Sequence, residues 1–165
     1  MILQNMKRAL SGIWFSVENT NIACVDVNGE EQPLSNYGYP NNFLKTLKET
    51  KNYVVWDGVG IVLGTGIGEV TKEDYCLFEL WSDYDIISES YTPTYSANYR
   101  NTDDIMYFSK TIKNTSNSPV TITEVGLVCR YNSAATILLI HDVLDTPLTL
   151  EPDEVGTVTV RVAIS

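Results

Sequence analysis

His141 is the only histidine in the chain, so any chemistry that needs an imidazole depends on it. Together with Asp142 or a more distant acid, it could serve a Ser-His-Asp or Cys-His arrangement. However, His141 lies inside the strand-like run Leu139–Asp142, and the sequence has no GxSxG nucleophile elbow. A zinc site would need a second histidine or a cysteine pair. We therefore expect an ordinary histidine on a strand face, with no catalytic residue and no metal ligand.

A glycine-rich run, Gly64-Thr65-Gly66-Ile67-Gly68, follows an apolar stretch and invites comparison with a phosphate-binding loop. Its spacing is GxGxG, whereas dinucleotide-binding turns have GxGxxG, and the lysine of a P-loop does not follow it. The segment from Val70 to Asp74 is also too short for the crossover helix of a nucleotide-binding fold. The run therefore predicts a flexible loop at one end of a β-sandwich, without a bound cofactor.

Acidic residues cluster in three places: Asp83-Tyr84-Asp85, Asp103-Asp104 and Glu151–Glu154. Paired carboxylates can hydrolyse glycosides, but only when two of them converge at a defined separation, which a sequence does not reveal. None of the clusters has the spacing of an EF-hand calcium loop. We expect solvated loops, with a weak surface calcium site as the alternative.

Three cysteines, Cys24, Cys76 and Cys129, stand among strand-like residues. An odd count without a CxxC motif argues against both a disulfide framework and a zinc knuckle. We expect three buried free thiols that pack as small apolar groups.

Ten tyrosines are many for a chain of 165 residues. An aromatic ring with one polar end suits protein interfaces and sugar-stacking platforms alike. Those in predicted loops and edges could form a contact surface, or could pin long loops to the core; they are Tyr37, Tyr39, Tyr84, Tyr91, Tyr95 and Tyr99.

The formal net charge is −10 at pH 7, from 11 basic and 21 acidic residues. Affinity for nucleic acid comes mostly from lysine and arginine, which release counterions from phosphates, so this balance argues against DNA or RNA binding. No apolar run approaches the roughly 18–20 residues of a membrane helix. The N-terminus, Met1–Arg8, lacks the order of charges and apolar residues of a secretory signal. We expect no nucleic-acid partner, no membrane partner and no classical export.

Short β-prone runs separated by turn residues dominate the sequence from Tyr53 onward. They predict a mainly β protein, an antiparallel β-sandwich of jelly-roll or Ig-like type, over residues 53–165. Residues 1–52 form a predicted N-terminal extension with short strands at Ile13–Val17 and Ile22–Val27 and one short helix within residues 42–50. Its apolar groups need a partner surface, for which we favour the sandwich of a neighbouring copy over that of the same chain.

The predicted strands of the sandwich are Tyr53–Trp56, Gly60–Leu63, Cys76–Trp81, Ile105–Lys113, Val120–Tyr131, Thr136–Leu144 and Val155–Ile164. Between Ser82 and Asn101 we expect one strand edge and a long loop around Pro93. Asn28-Gly29 predicts a turn that tolerates a positive φ. In the last strand Val158, Val160 and Val162 alternate with polar residues, which predicts one buried face and one wet face.

Within Val120–Tyr131 the apolar phase slips, since apolar residues up to Ile122 have one parity and those from Val125 onward have the other. A period of two cannot do this without an extra residue, so we predict a β-bulge near Glu124-Val125-Gly126. A carboxylate beside a bulge can accept hydrogen bonds from backbone N–H groups that the ladder has lost. Glu124 is therefore predicted to be structural.

Several short motifs follow one another between residues 60 and 165: Gly64-Thr-Gly66, Glu73-Asp74-Tyr75-Cys76-Leu77, Ile112-Lys-Asn114-Thr115, Val120-Thr-Ile-Thr-Glu-Val-Gly-Leu127, Ile137–Asp142 and Pro147-Leu-Thr-Leu150. Their order resembles a domain that recurs in tailed-bacteriophage virion proteins, in which I-x-E-V-G-L is the signature. Those domains often carry a basic residue in the strand after the signature, where this chain has His141-Asp142.

The resemblance implies a structural component of a bacteriophage particle, associated with its head, neck, tail or fibre, that acts through protein–protein assembly. The expected partners are other virion proteins and further copies of the same chain as a homo-oligomer. The expected location is the virion, after synthesis in the host bacterial cytoplasm. Such proteins bury surface and need no catalytic residues, so we expect no enzyme. Two alternatives are a carbohydrate-binding or adhesin module that uses the loop tyrosines, and a hydrolase built on paired carboxylates.

Overall fold

The computed structural model describes residues 23–33, 59–94, 104–130 and 136–164. The strands in these ranges are β1 (Ala23–Val25), β2 (Glu31–Pro33), β3 (Val59–Gly64), β4 (Leu80–Trp81), β5 (Tyr84–Thr94), β6 (Asp104–Asn114), β7 (Val120–Arg130), β8 (Thr136–Leu150) and β9 (Val155–Ile164). Within the same ranges, no helix is long and apolar enough to span a membrane. The predicted helix within residues 42–50 and the predicted strands Ile13–Val17 and Tyr53–Trp56 lie outside the described residues.

The strands form two larger antiparallel sheets, in the orders β4-β3-β7-β8 and β5-β6-β9, and the hairpin β1-β2. The predicted mainly β, antiparallel sandwich is thereby confirmed. Both larger sheets contribute to its larger apolar cluster, which includes Ile61, Leu63, Leu127, Leu139, Phe108, Ile112 and Val160. Each such side chain stabilises the fold by about 1.5–3 kcal/mol when it is fully buried.

The predicted alternation of β9 is confirmed, because Val158, Val160 and Val162 are buried while the residues between them are exposed. Along the described part of β6 the buried positions are Phe108, Lys110, Ile112 and Asn114, which share one parity. A period of two along a strand thus places one charged side chain, that of Lys110, between two apolar ones.

The β1–β2 hairpin turns at Asp26–Gly29, and Gly29 has a φ of 84°, as the Asn28-Gly29 pair predicts. The carboxylate of Asp26 fixes the turn by accepting hydrogen bonds from the N–H groups of Asn28 (2.9 Å) and Glu30 (3.0 Å). Cys24 is fully buried in the core cluster, and the N–H of Val27 donates to the carbonyl of Thr136 at 3.0 Å. Residues 23–33 therefore pack against the sandwich of their own chain.

The predicted strand Cys76–Trp81 is wrong for its first half, because only Leu80 and Trp81 pair with β3. The N–H groups of Phe78 and Glu79 donate instead to the side chain of Glu124. The segment before Leu80 is therefore the end of a loop.

The loop expected around Pro93 is also wrong, since Pro93 pairs with Met106 inside the eleven-residue strand β5. Among the described strands β5 lies at the edge of its sheet, where a proline costs no ladder hydrogen bond on the open side. β8 likewise extends beyond its predicted end at Leu144, to Leu150.

The β7–β8 ladder has a register shift between Ile122 and Glu124, next to the predicted bulge. Ile122 pairs with Leu148 and Glu124 with Val143, so Thr123 alone lies opposite the four residues 144–147. The extra residues therefore belong to β8, which corrects the prediction of a bulge in β7. Thr123 donates its hydroxyl to the carbonyl of Gly66 at 2.6 Å.

Candidate functional site

The side chain of Glu124 is fully buried at the end of the β3–β7 pairing, where Glu124 lies opposite Gly64. Its Oε1 accepts hydrogen bonds from the N–H groups of Gly66 (3.0 Å) and Glu79 (2.8 Å). Its Oε2 accepts one from the N–H of Phe78 (2.9 Å). These three donors belong to the two ends of the β3–β4 loop, residues 65–79. The carboxylate of Glu124 thus joins the two ends of the loop to each other and to β7.

His141 extends this arrangement from the next strand, β8. Its Nε2 lies 2.8 Å from Oε2 of Glu124, and its Nδ1 lies 2.7 Å from Oδ2 of Asp74. Each ring nitrogen of His141 therefore lies within hydrogen-bond distance of a carboxylate oxygen. The imidazole is fully buried and the Asp74 side chain is 14% exposed. We refer to Asp74, Glu124 and His141 as the clasp.

Asp74 connects the clasp to the middle of the loop. Besides its contact with His141, its carboxylate accepts hydrogen bonds from the hydroxyl (2.6 Å) and the N–H (3.1 Å) of Thr71. The ring of Phe78 packs against that of His141, with 4.8 Å between centroids. The clasp therefore holds the loop at its start, its middle and its end.

The glycines of the predicted glycine-rich loop are required by this close approach. A Cβ on Gly64 would lie 2.4 Å from Oε1 of Glu124, and one on Gly66 would lie 2.6 Å from the same atom. Real Cβ atoms are almost never within 3.0 Å of another heavy atom. The predicted glycine-rich loop therefore surrounds a carboxylate of its own chain, that of Glu124.

Burial would by itself raise the pKa of Glu124. The hydrogen bonds from His141 and from the N–H groups of Glu79, Phe78 and Gly66 outweigh burial, so that the pKa of Glu124 is lowered. Burial first, and the negative charges of Asp74 and Glu124 next, raise the pKa of the nearby Cys76 thiol. The clasp therefore favours the ionised form of Glu124 and disfavours the thiolate form of Cys76.

These properties limit what the clasp can do chemically. Both nitrogens of His141 are engaged by carboxylates, which leaves neither to activate a nucleophile in this geometry. Cys76 is kept as a thiol, the less nucleophilic form. Among the described residues, no group of three or more His, Cys, Asp and Glu side chains is arranged to hold a metal ion. The arrangement is suited to fixing a loop.

The predicted acidic clusters are solvent-exposed where their side chains are described. Asp83 directly precedes β5 and Asp85 is its second residue, whereas Glu151–Glu154 form the exposed turn before β9. Lys113 brings two of the clusters together, because its Nζ lies 2.6 Å from Oδ1 of Asp153 and its pKa is raised first by that hydrogen bond and also by Asp85. Asp103 and the side chain of Asp104 lie outside the described residues.

The positions of the tyrosines differ from the prediction that they lie in loops and edges and could form a contact surface. Tyr84 is fully buried, with its ring 5.0 Å from that of Trp81, so it belongs to the core and not to a contact surface. Tyr91 lies within β5, but its side chain is outside the described set, as are Tyr37, Tyr39, Tyr95 and Tyr99 altogether. The exposed aromatic side chains include Tyr75, Phe78 and Tyr107, which sequence reasoning did not select.

The cysteines are free, as predicted, but only two of them are core residues. Cys24 and Cys129 are buried in the core cluster, whereas Cys76 is partly exposed beside the clasp and is not in a strand. Burial first, and then the proximity of Cys24, raise the pKa of Cys129.

Sequence reasoning missed a second buried polar group, around Lys110 of β6. Its Nζ lies 2.8 Å from Oε1 of Glu89, its cross-strand partner on β5, and donates to the carbonyl of Ile61 and to the hydroxyl of Tyr84. The side chains of Lys110 and Glu89 are 0% and 3% exposed. Lys110 has the same parity along the strand as the apolar residues Phe108 and Ile112. This pattern could have indicated from the sequence that the side chain of Lys110 is buried.

A cavity of about 390 Å³ lies between β8 and β9. It is lined by core-facing apolar side chains and by three charged ones, among them Val125, Ile140, Leu144, Val160, Val162, Asp142, Asp145 and Arg161. None of the clasp residues lines it. The cavity and the clasp are therefore separate features.

Searches of family models, of curated proteins and of solved structures gave no match to this chain.

Proposed function

We propose that this chain is a structural component of a bacteriophage particle, belonging to its head, neck, tail or fibre, that acts through protein–protein assembly and not through catalysis. The proposal starts from the resemblance of residues 60–165 to a domain of tailed-phage virion proteins. Its partners are other virion proteins and further copies of the chain.

One observation carries the proposal: the motifs behind the resemblance are joined in a single structural unit. Glu124 of the I-x-E-V-G-L signature accepts hydrogen bonds from three backbone N–H groups. The first of these belongs to Gly66 of the Gly64-Thr-Gly66 motif, and Asp74 of the next motif reaches Glu124 through His141. Residues far apart in sequence thus serve one architectural purpose, which is to shape the β3–β4 loop.

At His141 this chain departs from the sequence pattern of those phage domains. Those domains often carry a basic residue in the strand after the signature, and His141 makes a contact there that a basic group could make, with Glu124 at 2.8 Å. The contact supports the assignment of the chain to this kind of domain. It also gives the lone histidine a structural role, which supports a non-catalytic function.

The carbohydrate-binding alternative receives less support, because Tyr84, one of the tyrosines that suggested a sugar platform, is fully buried. The hydrolase alternative required converging acids. The clusters at Asp85 and Asp153 instead adjoin a lysine, Lys113, whose charge opposes theirs.

Deletion of the gene from the genome of the phage that encodes it tests the proposal. Cells infected with the deleted phage should yield fewer infectious particles, or particles that lack a substructure in negative-stain electron microscopy. A plasmid copy of the wild-type gene should restore them, and a plasmid copy encoding His141→Gln should restore them to the extent that the variant folds. Normal particle morphology and normal yield without the gene would refute a structural role.

A further inference from the structure

The cavity between β8 and β9 follows the edge of a strand. Four consecutive residues of β9, residues 159–162, line it, and they alternate between the exposed outer face and the buried inner face of the sheet. Tyr107 and Phe108, the β6 residues that pair with two of them, do not line it. A space that touches both faces of β9 but not these pairing partners lies along the side of β9 that points away from β6.

This side of β9 is suited to accept a further strand. Within the described part of the chain, β9 pairs with β6 alone and comes last in the order β5-β6-β9. A strand that is paired on one side presents N–H and C=O groups along the other, where an extended segment of another chain can add to the sheet. Backbone hydrogen bonds give such a contact its affinity, and pockets for alternate side chains give it specificity.

The cavity provides a pocket for apolar side chains. Apolar residues of both larger sheets line it, among them Val125, Ile140, Leu144, Val160 and Val162, and all of these except Leu144 are buried. Its volume is about 390 Å³. A cavity of roughly 150 Å³ already holds a benzene ring, so this one has room for more than one apolar side chain of an added strand.

The charged residues of the cavity favour a basic partner. Asp142 pairs with the buried Val125, and cross-strand partners point to the same face of a sheet, so the exposed Asp142 lies on the core side of β8. One of its oxygens accepts a hydrogen bond from the N–H of Val143 at 3.2 Å. Asp145 adds a second exposed carboxylate, against the single guanidinium of Arg161. In a chain of net charge −10, this excess of acid complements lysine or arginine.

We propose that the cavity binds an extended segment of another virion protein, which adds to β9 as a further strand. The segment places apolar side chains between β8 and β9 and a lysine or arginine beside Asp142 and Asp145. The proposal rests on the proposed function for the source of the segment, since it names the surface through which this chain joins its neighbours in the particle.

Synthetic peptides test the site on the full-length chain. The probe is a capped eight-residue peptide in which valine alternates with threonine and one terminal valine is replaced by lysine, so that the lysine shares a face with the valines. It should bind in calorimetric titration and shift the NMR amide signals of residues 159–162. A peptide with glutamate in place of the lysine should bind about 10-fold more weakly. A peptide with proline in place of two threonines should do the same, because proline has no N–H to donate.

Matched variants locate the contact. Leu144→Ala should weaken binding of the probe by about 10-fold, whereas Leu148→Ala should leave it unchanged. Both leucines are half-buried on β8, but only Leu144 lines the cavity. Asp145→Lys should weaken binding by about 10-fold, and Glu151→Lys, the same change of charge at an exposed position outside the cavity, should not. The NMR mapping on the wild type decides the location if a variant does not fold.

Three results would each overturn the proposal: no binding of the probe by the wild type, equal binding of the proline peptide, or equal effects of Leu144→Ala and Leu148→Ala. Sedimentation equilibrium of the wild type without peptide gives a fourth. Self-association that Leu144→Ala abolishes and Leu148→Ala preserves would show that a second copy of the chain occupies the cavity.

These outcomes are distinct from failure of the proposed function. If the probe does not bind while the chain is found in purified particles, the assembly uses another surface and the structural role stands. If the probe binds as expected while the chain is missing from particles, the cavity accepts a strand but its partner is not a virion protein.

Discussion

Oε2 of Glu124 and Nε2 of His141 lie 2.8 Å apart, and both side chains are fully buried. Removing two such groups from water is costly unless each is fully hydrogen-bonded. Glu124 meets this requirement with three backbone N–H groups, and His141 meets it with Asp74 on its other nitrogen. The pair thereby couples the register of β7 and β8 to the conformation of the β3–β4 loop.

Replacement of Glu124 by alanine should lower the free energy of unfolding by about 1–3 kcal/mol, because it leaves buried backbone donors without an acceptor. Urea denaturation measures the change. Glu69→Ala is the matched control, since Glu69 is an exposed carboxylate in the same loop, and its effect should stay within about 0.5 kcal/mol. Indistinguishable midpoints for the two variants would show that Glu124 has no structural role.

The stability of the protein should fall in acid through Glu124. The pKa of Glu124 is lowered in the folded chain from an ordinary value of 4.5, so the unfolded chain takes up a proton first as the pH drops. The contribution of Glu124 is therefore complete above pH 4.5 and is lost as the pH falls through the folded-state pKa. Urea unfolding over a pH series should show a steeper acid loss for the wild type than for Glu124→Gln. Parallel curves would contradict this assignment.

Gly66→Ala should be more destabilising than Gly68→Ala. The new Cβ at position 66 would lie 2.6 Å from Oε1 of Glu124 and 2.7 Å from the backbone nitrogen of Glu79, both of which are fixed by the clasp. At position 68 its three nearest atoms would all belong to the ring of Phe78, which is the far end of a side chain. Overpacking of this kind costs about 1–3 kcal/mol. Thermal unfolding compares the stability of the two variants. Equal losses of stability would mean that the clasp residues move aside for the new Cβ as readily as the ring of Phe78 does.

Lys110→Met should destabilise the protein by about 3–5 kcal/mol, because it leaves the buried carboxylate of Glu89 without its cation. The double variant Lys110→Met/Glu89→Leu should recover much of the loss, since replacing both members of a buried ion pair is often close to neutral. A double-mutant cycle on chemical unfolding measures the coupling between the two residues. Additive losses would show that Lys110 and Glu89 do not depend on each other.

Features that depend on a short period were predictable from the sequence. The alternation of Val158, Val160 and Val162 sets the faces of β9, and Asn28-Gly29 sets the hairpin turn, because both result from neighbouring residues. The phase slip before Val125 led to the prediction that Glu124 accepts backbone hydrogen bonds at a bulge in β7, but its three N–H donors lie in the β3–β4 loop. These inferences need no knowledge of which strands pair.

The partners of Glu124 were not predictable in the same way. His141 and Asp74 are 67 residues apart in sequence, and they meet only because β8 pairs with β7 while the β3–β4 loop folds over both. The same hydrogen bonds explain the wrong strand at Cys76–Glu79. Apolar residues there suggested a ladder, but two of their N–H groups are used by a side chain from another strand.

The composition of purified particles tests whether this chain is a structural component of a bacteriophage particle. Phage particles banded in a density gradient and washed in high salt would be analysed by quantitative mass spectrometry, with the infected-cell lysate as the reference. We expect this chain to co-purify with the particles at a fixed ratio to the major capsid protein. Abundance in the lysate together with absence from the washed particles would contradict it.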